Sequence, residues 1–163
     1  MPAETQMKSI REKPHRLAAE SYRGYVAVSF TACVKNRTNL FVDRGVVDTF
    51  KRILFEEARR YLCEIPAFTF MPDHCHVILM GTSESADPLA AMKSFKHKTG
   101  YWLYEHQPSA SWQKDFFDHI VRDEEELEKH VLYIFENPVR KSLVSDWKTY
   151  PFSGSSMYDL ENW

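Results

Sequence analysis

Residues 65–80 read Ile-Pro-Ala-Phe-Thr-Phe-Met-Pro-Asp-His-Cys-His-Val-Ile-Leu-Met, two apolar runs joined at Pro72-Asp73. Proline and aspartate side by side favour a tight turn, so the stretch predicts strands over 65–71 and 74–80 folded into a hairpin. Alternate residues of a strand share a face, which puts His74 and His76 side by side and turns Cys75 the other way. Two imidazoles on one face of an apolar strand can hold a divalent metal. Read alone, they can equally be satisfied or partly exposed histidines.

Outward from the hairpin, residues 24–34 are rich in β-branched and aromatic side chains (Tyr25, Val26, Val28, Phe30, Thr31) and predict a first strand. Residues 46–62 place Val47, Phe50, Ile53, Leu54, Ala58 and Leu62 at helical spacing. After a loop over 81–87, Asp87 caps a helix that starts at Pro88 and carries Leu89, Met92 and Phe95 on one side. A loop over 107–111 leads to a fourth strand over 112–122. Asp123, with Glu126 three residues on, has the spacing of a capping box. The helix it opens is expected to run to Glu136 and stop at Asn137-Pro138. The order strand, helix, strand, strand, helix, strand is the α+β, ferredoxin-like βαββαβ arrangement. It predicts a four-stranded antiparallel sheet, here followed by one extra C-terminal helix and a tail over 138–163. Residues 1–22 are polar and aperiodic and read as an extended arm.

At 163 residues, 44% hydrophobic and 27% charged, the chain has the make-up of one globular domain spanning 1–163 rather than of a disordered segment. No apolar run approaches the roughly 20 residues that span a bilayer, and the N-terminus lacks the apolar core of a signal peptide. The expectation is a cytoplasmic protein, with no membrane partner. Cys33, Cys63 and Cys75 are odd in number and have no C-x-x-C spacing, so they read as buried reduced thiols. A net charge of −2 does not announce a nucleic-acid binder. Local charge says more: Lys93, Lys96 and Lys98 lie in a stretch without an acid from Pro88 to Tyr104, and the arm region carries Lys8, Arg11, Lys13, Arg16 and Arg23. These fit a solvated helix face and a loose tail, or else contacts to phosphates.

The predicted C-terminal helix ends in Tyr-Ile-Phe-Glu-Asn-Pro-Val-Arg, residues 133–140. Tyr133 and Asn137 are one helical turn apart and share a face, while Leu127, Val131, Ile134 and Phe135 form a different stripe. By themselves they fit an amphipathic tyrosine at a helix edge and an asparagine that ends the helix. Taken with Phe-Met-Pro-Asp-His-Cys-His (70–76), Phe-Lys-His-Lys-Thr-Gly (95–100), Trp-Gln-Lys-Asp-Phe-Phe-Asp-His-Ile-Val-Arg-Asp-Glu-Glu (112–125) and Tyr-Pro-Phe-Ser-Gly-Ser (150–155), they carry a resemblance. In that order, over roughly residues 20–155, the chain resembles the HUH single-tyrosine transposases, and among them those associated with repetitive extragenic palindromes. It departs from their pattern at Cys75, where Val or Leu is usual, and at Lys141-Ser142, where Ala-Gly is usual.

The resemblance implies cleavage of single-stranded DNA with hairpin or palindromic ends by attack of Tyr133 on a phosphodiester, leaving a 5′-phosphotyrosine and a free 3′-hydroxyl. A tyrosine hydroxyl is almost fully protonated at neutral pH, and its target is an anion with a poor leaving group. His74, His76 and Asn137 are the implied ligands of a divalent ion, Mg²⁺ or Mn²⁺, that would offset this charge. Three neutral ligands leave coordination positions open for phosphate and water. A covalent intermediate conserves the bond energy, so a strand can be rejoined without ATP. Lys93, Lys96, His97 and Lys98 are expected on backbone phosphates, and Arg16 and Arg23 on a hairpin. Trp112 reads as core; His119 reads either as a core partner or as part of a site. Two other classes stay open: a domesticated, non-catalytic module that binds single-stranded or hairpin nucleic acid, and a metallohydrolase. The second is disfavoured because such sites recruit further His and Asp ligands. A protein of this kind is expected in the cytoplasm, associated with the bacterial nucleoid while acting; the sequence does not decide between a monomer and a homodimer exchanging Tyr133.

Overall fold

A computed structural model of the chain describes residues 16–163. Its strands are β1 (Ala27–Cys33), β2 (Cys63–Met71), β3 (His74–Gly81), β4 (Phe117–Val121) and β5 (Ser153–Gly154). Its helices are α1 (Arg44–Arg60), α2 (Pro88–His106) and α3 (Glu124–Arg140). The sheet is antiparallel throughout, in the order β4-β1-β3-β2-β5. The α+β, ferredoxin-like arrangement expected from the sequence is present, with a fifth strand beyond the four expected. That strand is two residues of the C-terminal tail, Ser153 and Gly154, laid against Thr69 and Phe68 at the outer edge of β2. Gly154 is needed there because a Cβ would stand 2.7 Å from the Phe68 ring.

Caps set the helix starts. The side chains of Asp43, Asp87 and Asp123 accept backbone N–H bonds from Gly45, Ala90 and Glu126. One face of the sheet, with Phe30, Phe70, Cys75 and Val77, packs on α1 and α2 around Phe50, whose ring meets Phe41, Phe70, Phe95 and Trp112. Three free cysteines lie in buried positions, and burial pushes the Cys63 and Cys75 thiols up to about 12. The other face carries α3, through Ala67 and Ile78 against Val131, Ile134 and Phe135. Residues 143–163 then cover the outside of α3, with Trp147 stacked on Phe135 at 5.0 Å. No helix among the described residues is long and apolar enough to cross a membrane.

Three boundaries differ from the expectation. The fourth strand spans only Phe117–Val121; Trp112 forms an isolated bridge to Val34 and its Nε1 donates to Thr99 Oγ1 at 2.8 Å. Its apolar bulk marks core, not strand. The last helix passes through Asn137-Pro138 to Arg140. Pro138 sits in the final turn, so its missing N–H removes a single helical bond, the one to the Ile134 carbonyl. The turn then closes through Ser142 N–H to Val139 O and Leu143 N–H to Pro138 O, a Schellman motif with Ser142 at φ 59°. The predicted arm lies outside the described residues up to residue 15. Its described end is packed: Tyr22 is buried, Arg16 pairs with Asp118, and the Tyr22 hydroxyl donates to the same carboxylate at 2.9 Å.

Candidate active site

Pairing fixes where the two histidines look. His74 lies opposite Cys33 and Met71, and His76 lies opposite Thr31 and Thr69. They share the face that carries α3, with ring centroids 4.9 Å apart and planes at 89°. Cys75 points into the opposite core.

Each imidazole is pinned through its Nδ1. His74 Nδ1 donates to Asp73 Oδ1 at 2.7 Å, and His76 Nδ1 lies 2.9 Å from Thr31 Oγ1. The Asp73 carboxylate can only accept, so His74 donates through Nδ1 and turns its Nε2 outward as the ligand atom, whereas the Thr31 hydroxyl can donate or accept and holds the His76 ring in place. Burial would raise the Asp73 carboxyl, but hydrogen bonds from His74 and from Arg37 at 2.9 Å outweigh it and bring it down to about 2. Burial first, then the charges of His74, Arg140, Arg37 and Lys141, hold His76 well below the ordinary histidine range. A neutral imidazole is the form that binds a metal.

Chain direction brings the rest of the site to this end of the sheet. β4 runs parallel to β3, so α3, which follows β4, starts near the far end of β3 and returns toward its His74 end. The helix therefore places Tyr133, Asn137 and Arg140 late, in the turns nearest the histidines. The action of the Arg140 and Lys141 charges on His76 agrees with that placement. Asn137 is buried at 4% exposure. Tyr133 is half-buried, with the Arg140 guanidinium 3.8 Å over its ring and Arg140 Nη2 donating to its backbone carbonyl. All of these residues come from one chain, because α3 docks on its own sheet.

The basic residues divide. Lys96 Nζ donates to the carbonyls of Gln113, Lys114 and Asp115, Lys98 pairs with Glu57, and Arg16 pairs with Asp118. These three are committed to the fold. Lys93 and His97 are exposed along a groove of about 600 Å³ between α2 and residues 112–116, shared with Tyr101 and Lys114, on the sheet's other side from the histidines. Arg23 is exposed and touches Asp87 at 3.4 Å. Sequence reasoning missed Asp73 and Thr31 as the partners of the histidines. Asp73 was readable as the neighbour of His74; Thr31 follows only from sheet register. It also missed Arg140, visible only as the last residue of the 133–140 motif.

Comparison with known proteins places this geometry. The family model described as "Transposase IS200 like" matches residues 24–137. A Haemophilus influenzae protein assigned as a REP-associated tyrosine transposase is 27% identical over 137 residues, covering 76% of each chain. The REP-associated tyrosine transposase of Escherichia coli K12 is 30% identical over 129 residues, covering 76% of this chain and 73% of its own. A solved structure of a REP-associated tyrosine transposase bound to a REP hairpin superposes with a TM-score of 0.72 at 23% identity, covering 87% of this chain and 82% of that one, which shows a shared fold. The fold, the histidine pair and the matched span together make this chain a member of the IS200-like transposase family.

Proposed function

We propose that the protein cleaves and rejoins single-stranded DNA through a covalent Tyr133 intermediate, on DNA carrying a hairpin. The observation that carries this reading is the pair of pinned imidazoles on the face where α3 brings Tyr133 and Asn137. Tyr133 Oη attacks the phosphorus of a phosphodiester, the bond to the 3′ oxygen breaks, and a 5′-phosphotyrosine and a 3′-hydroxyl result. Reversal by a 3′-hydroxyl of another strand releases Tyr133 and completes strand transfer. His74, His76 and Asn137 would hold Mg²⁺ or Mn²⁺. When bound, such an ion polarises the phosphate and offsets charge on the leaving oxygen. His76, neutral and with Nδ1 engaged by Thr31, orients rather than transfers a proton. Arg140 stacks on the Tyr133 ring and fixes its direction.

The hairpin partner is supported by the structural neighbour, which was solved bound to a REP hairpin. Lys93 and His97, exposed on the groove, are the side chains offered to backbone phosphates.

The test is a denaturing gel with a hairpin-bearing single strand, with and without Mn²⁺. A protein–DNA adduct is expected for the wild type with Mn²⁺ and none for Tyr133→Phe, whose hairpin affinity is unchanged. Adducts that persist in Tyr133→Phe sink the assignment of Tyr133. Hairpin binding with no adduct from the wild type favours a non-catalytic binding module instead.

A further inference from the structure

A second histidine cluster joins β4 to the first half of α3, and the phosphodiester chemistry does not use it. His119 stands on β4 opposite Ser29, in the next same-face row beyond the one that holds Thr31 and His76. Glu126 and His130 are four residues apart on α3 and share a helix face. His119 Nε2 donates to Glu126 Oε1 at 2.5 Å, and His130 Nε2 stands 3.6 Å from that same oxygen. The two rings stack, with centroids 5.1 Å apart and planes at 10°. One ligand atom from each of the three residues lies within 4.8 Å of the other two. The side chains are about a third exposed, so solvent ions reach them.

A hydrogen-bonded tie between β4 and α3 needs one histidine and the glutamate. It does not need a second imidazole stacked on the first with its Nε2 toward the same carboxylate oxygen. Burial first, and then the neighbouring His119, lowers His130 below the ordinary histidine range. Two imidazoles and one carboxylate form a donor set for Zn²⁺ and its neighbours in the first transition row. Donors held at 2.0–2.2 Å from a tetrahedral ion lie roughly 3.3 Å apart, a spacing these side chains reach by small rotations.

We propose that His119, Glu126 and His130 form a second divalent-metal site of the Zn²⁺ or Co²⁺ class, distinct from the His74–His76–Asn137 site. The ion takes the place of the His119 Nε2 proton, which leaves to solvent while the ring keeps a proton on Nδ1, and its fourth position is left to water. His130 precedes Tyr133 by less than one turn, and His130, Tyr133 and Asn137 recur at i, i+3 and i+7. An ion here therefore bolts the catalytic helix to the edge strand just before the tyrosine. The site stands whether or not Tyr133 is a nucleophile.

The experiment is a Co²⁺ titration of the full chain carrying His74→Ala and His76→Ala, followed by visible absorption. One Co²⁺ per chain is expected, with the d–d bands of a histidine-bound ion, and adding His130→Gln abolishes them while far-UV circular dichroism stays unchanged. The proposal is overturned if no saturable band appears, or if the band survives the loss of His119 and His130. A second measurement needs no variant: an anomalous difference map from wild-type crystals soaked in Zn²⁺. A peak among His119, Glu126 and His130 is expected; density confined to His74 and His76 overturns the site.

Discussion

At the scale of single residues, the Ser142 backbone is one of the places, with Leu62 and Arg37, where this sequence works against its own fold. Its φ of 59° closes the Schellman motif after α3, a conformation that an L side chain adopts at a cost and glycine does not. Ser142→Gly is expected to stabilise the protein by about 1 kcal/mol, since relief of the left-handed strain exceeds the extra entropy of an unfolded glycine. Urea denaturation reads this directly, and an unchanged or lower midpoint contradicts it. The departure from Ala-Gly at 141–142 thus lies in the closing turn of α3, a few residues beyond Asn137. The histidines show the opposite economy. Each has a neighbour that holds its ring, Asp73 in sequence and Thr31 across the sheet, so the protein itself orients both imidazoles.

At the scale of elements, α1 and α2 are joined by a buried acid. Glu57 is 2% exposed, bonded by Ser94 at 2.8 Å and paired with Lys98. Burial alone would raise its carboxyl, but the Lys98 and Ser94 hydrogen bonds outweigh it and hold it below the ordinary 4.5. A folded value below the unfolded one means that this stabilisation is complete above about pH 4.5 and fades as the pH falls through the folded value. The stability gap between wild type and Glu57→Gln should therefore be widest near neutral pH and close below about 4.5. A gap that widens in acid contradicts the sign. Elements were legible where their signals are local. Pro72-Asp73 marks the hairpin turn, and Asp87-Pro88 and Asp123 mark helix starts, all within a few residues of the structures they cause. Trp112 misled because an aromatic side chain buried from a loop looks, in one dimension, like one buried from a strand. Pro138 misled because a proline's cost depends on its distance from the helix end. The site divided in the same way. His-x-His and Tyr-x-x-x-Asn follow strand and helix periods, whereas Arg16 meets Asp118 at a separation of 102 residues that no local pattern encodes.

At the scale of the whole molecule, the two faces of the sheet have separate tasks. One face builds the aromatic core with α1 and α2 and carries the exposed Lys93 and His97 on its outer groove. The other carries the histidine pair beneath α3. DNA that touches both must pass around an edge of the sheet. Because α3 docks on its own sheet, one chain holds all four proposed catalytic residues. A mixture of Tyr133→Phe chains with His76→Ala chains is therefore expected to give no DNA adduct, by the same denaturing gel. Restored adduct formation would require helices exchanged between chains.

The tail also has a consequence for the order in which the chain takes shape. β2 and β3 are neighbours in sequence, but the β2 edge is covered by Ser153 and Gly154, and Phe135 is covered by Trp147 and Trp163. On the ribosome these covering residues emerge after everything they cover. For that interval a nascent molecule presents a long, bare β2 edge beside an unshielded phenylalanine, the surface on which strands of other molecules pair. A released chain truncated between 141 and 152 leaves that edge open. Such truncated chains are expected to be lost as aggregates rather than to persist as soluble fragments.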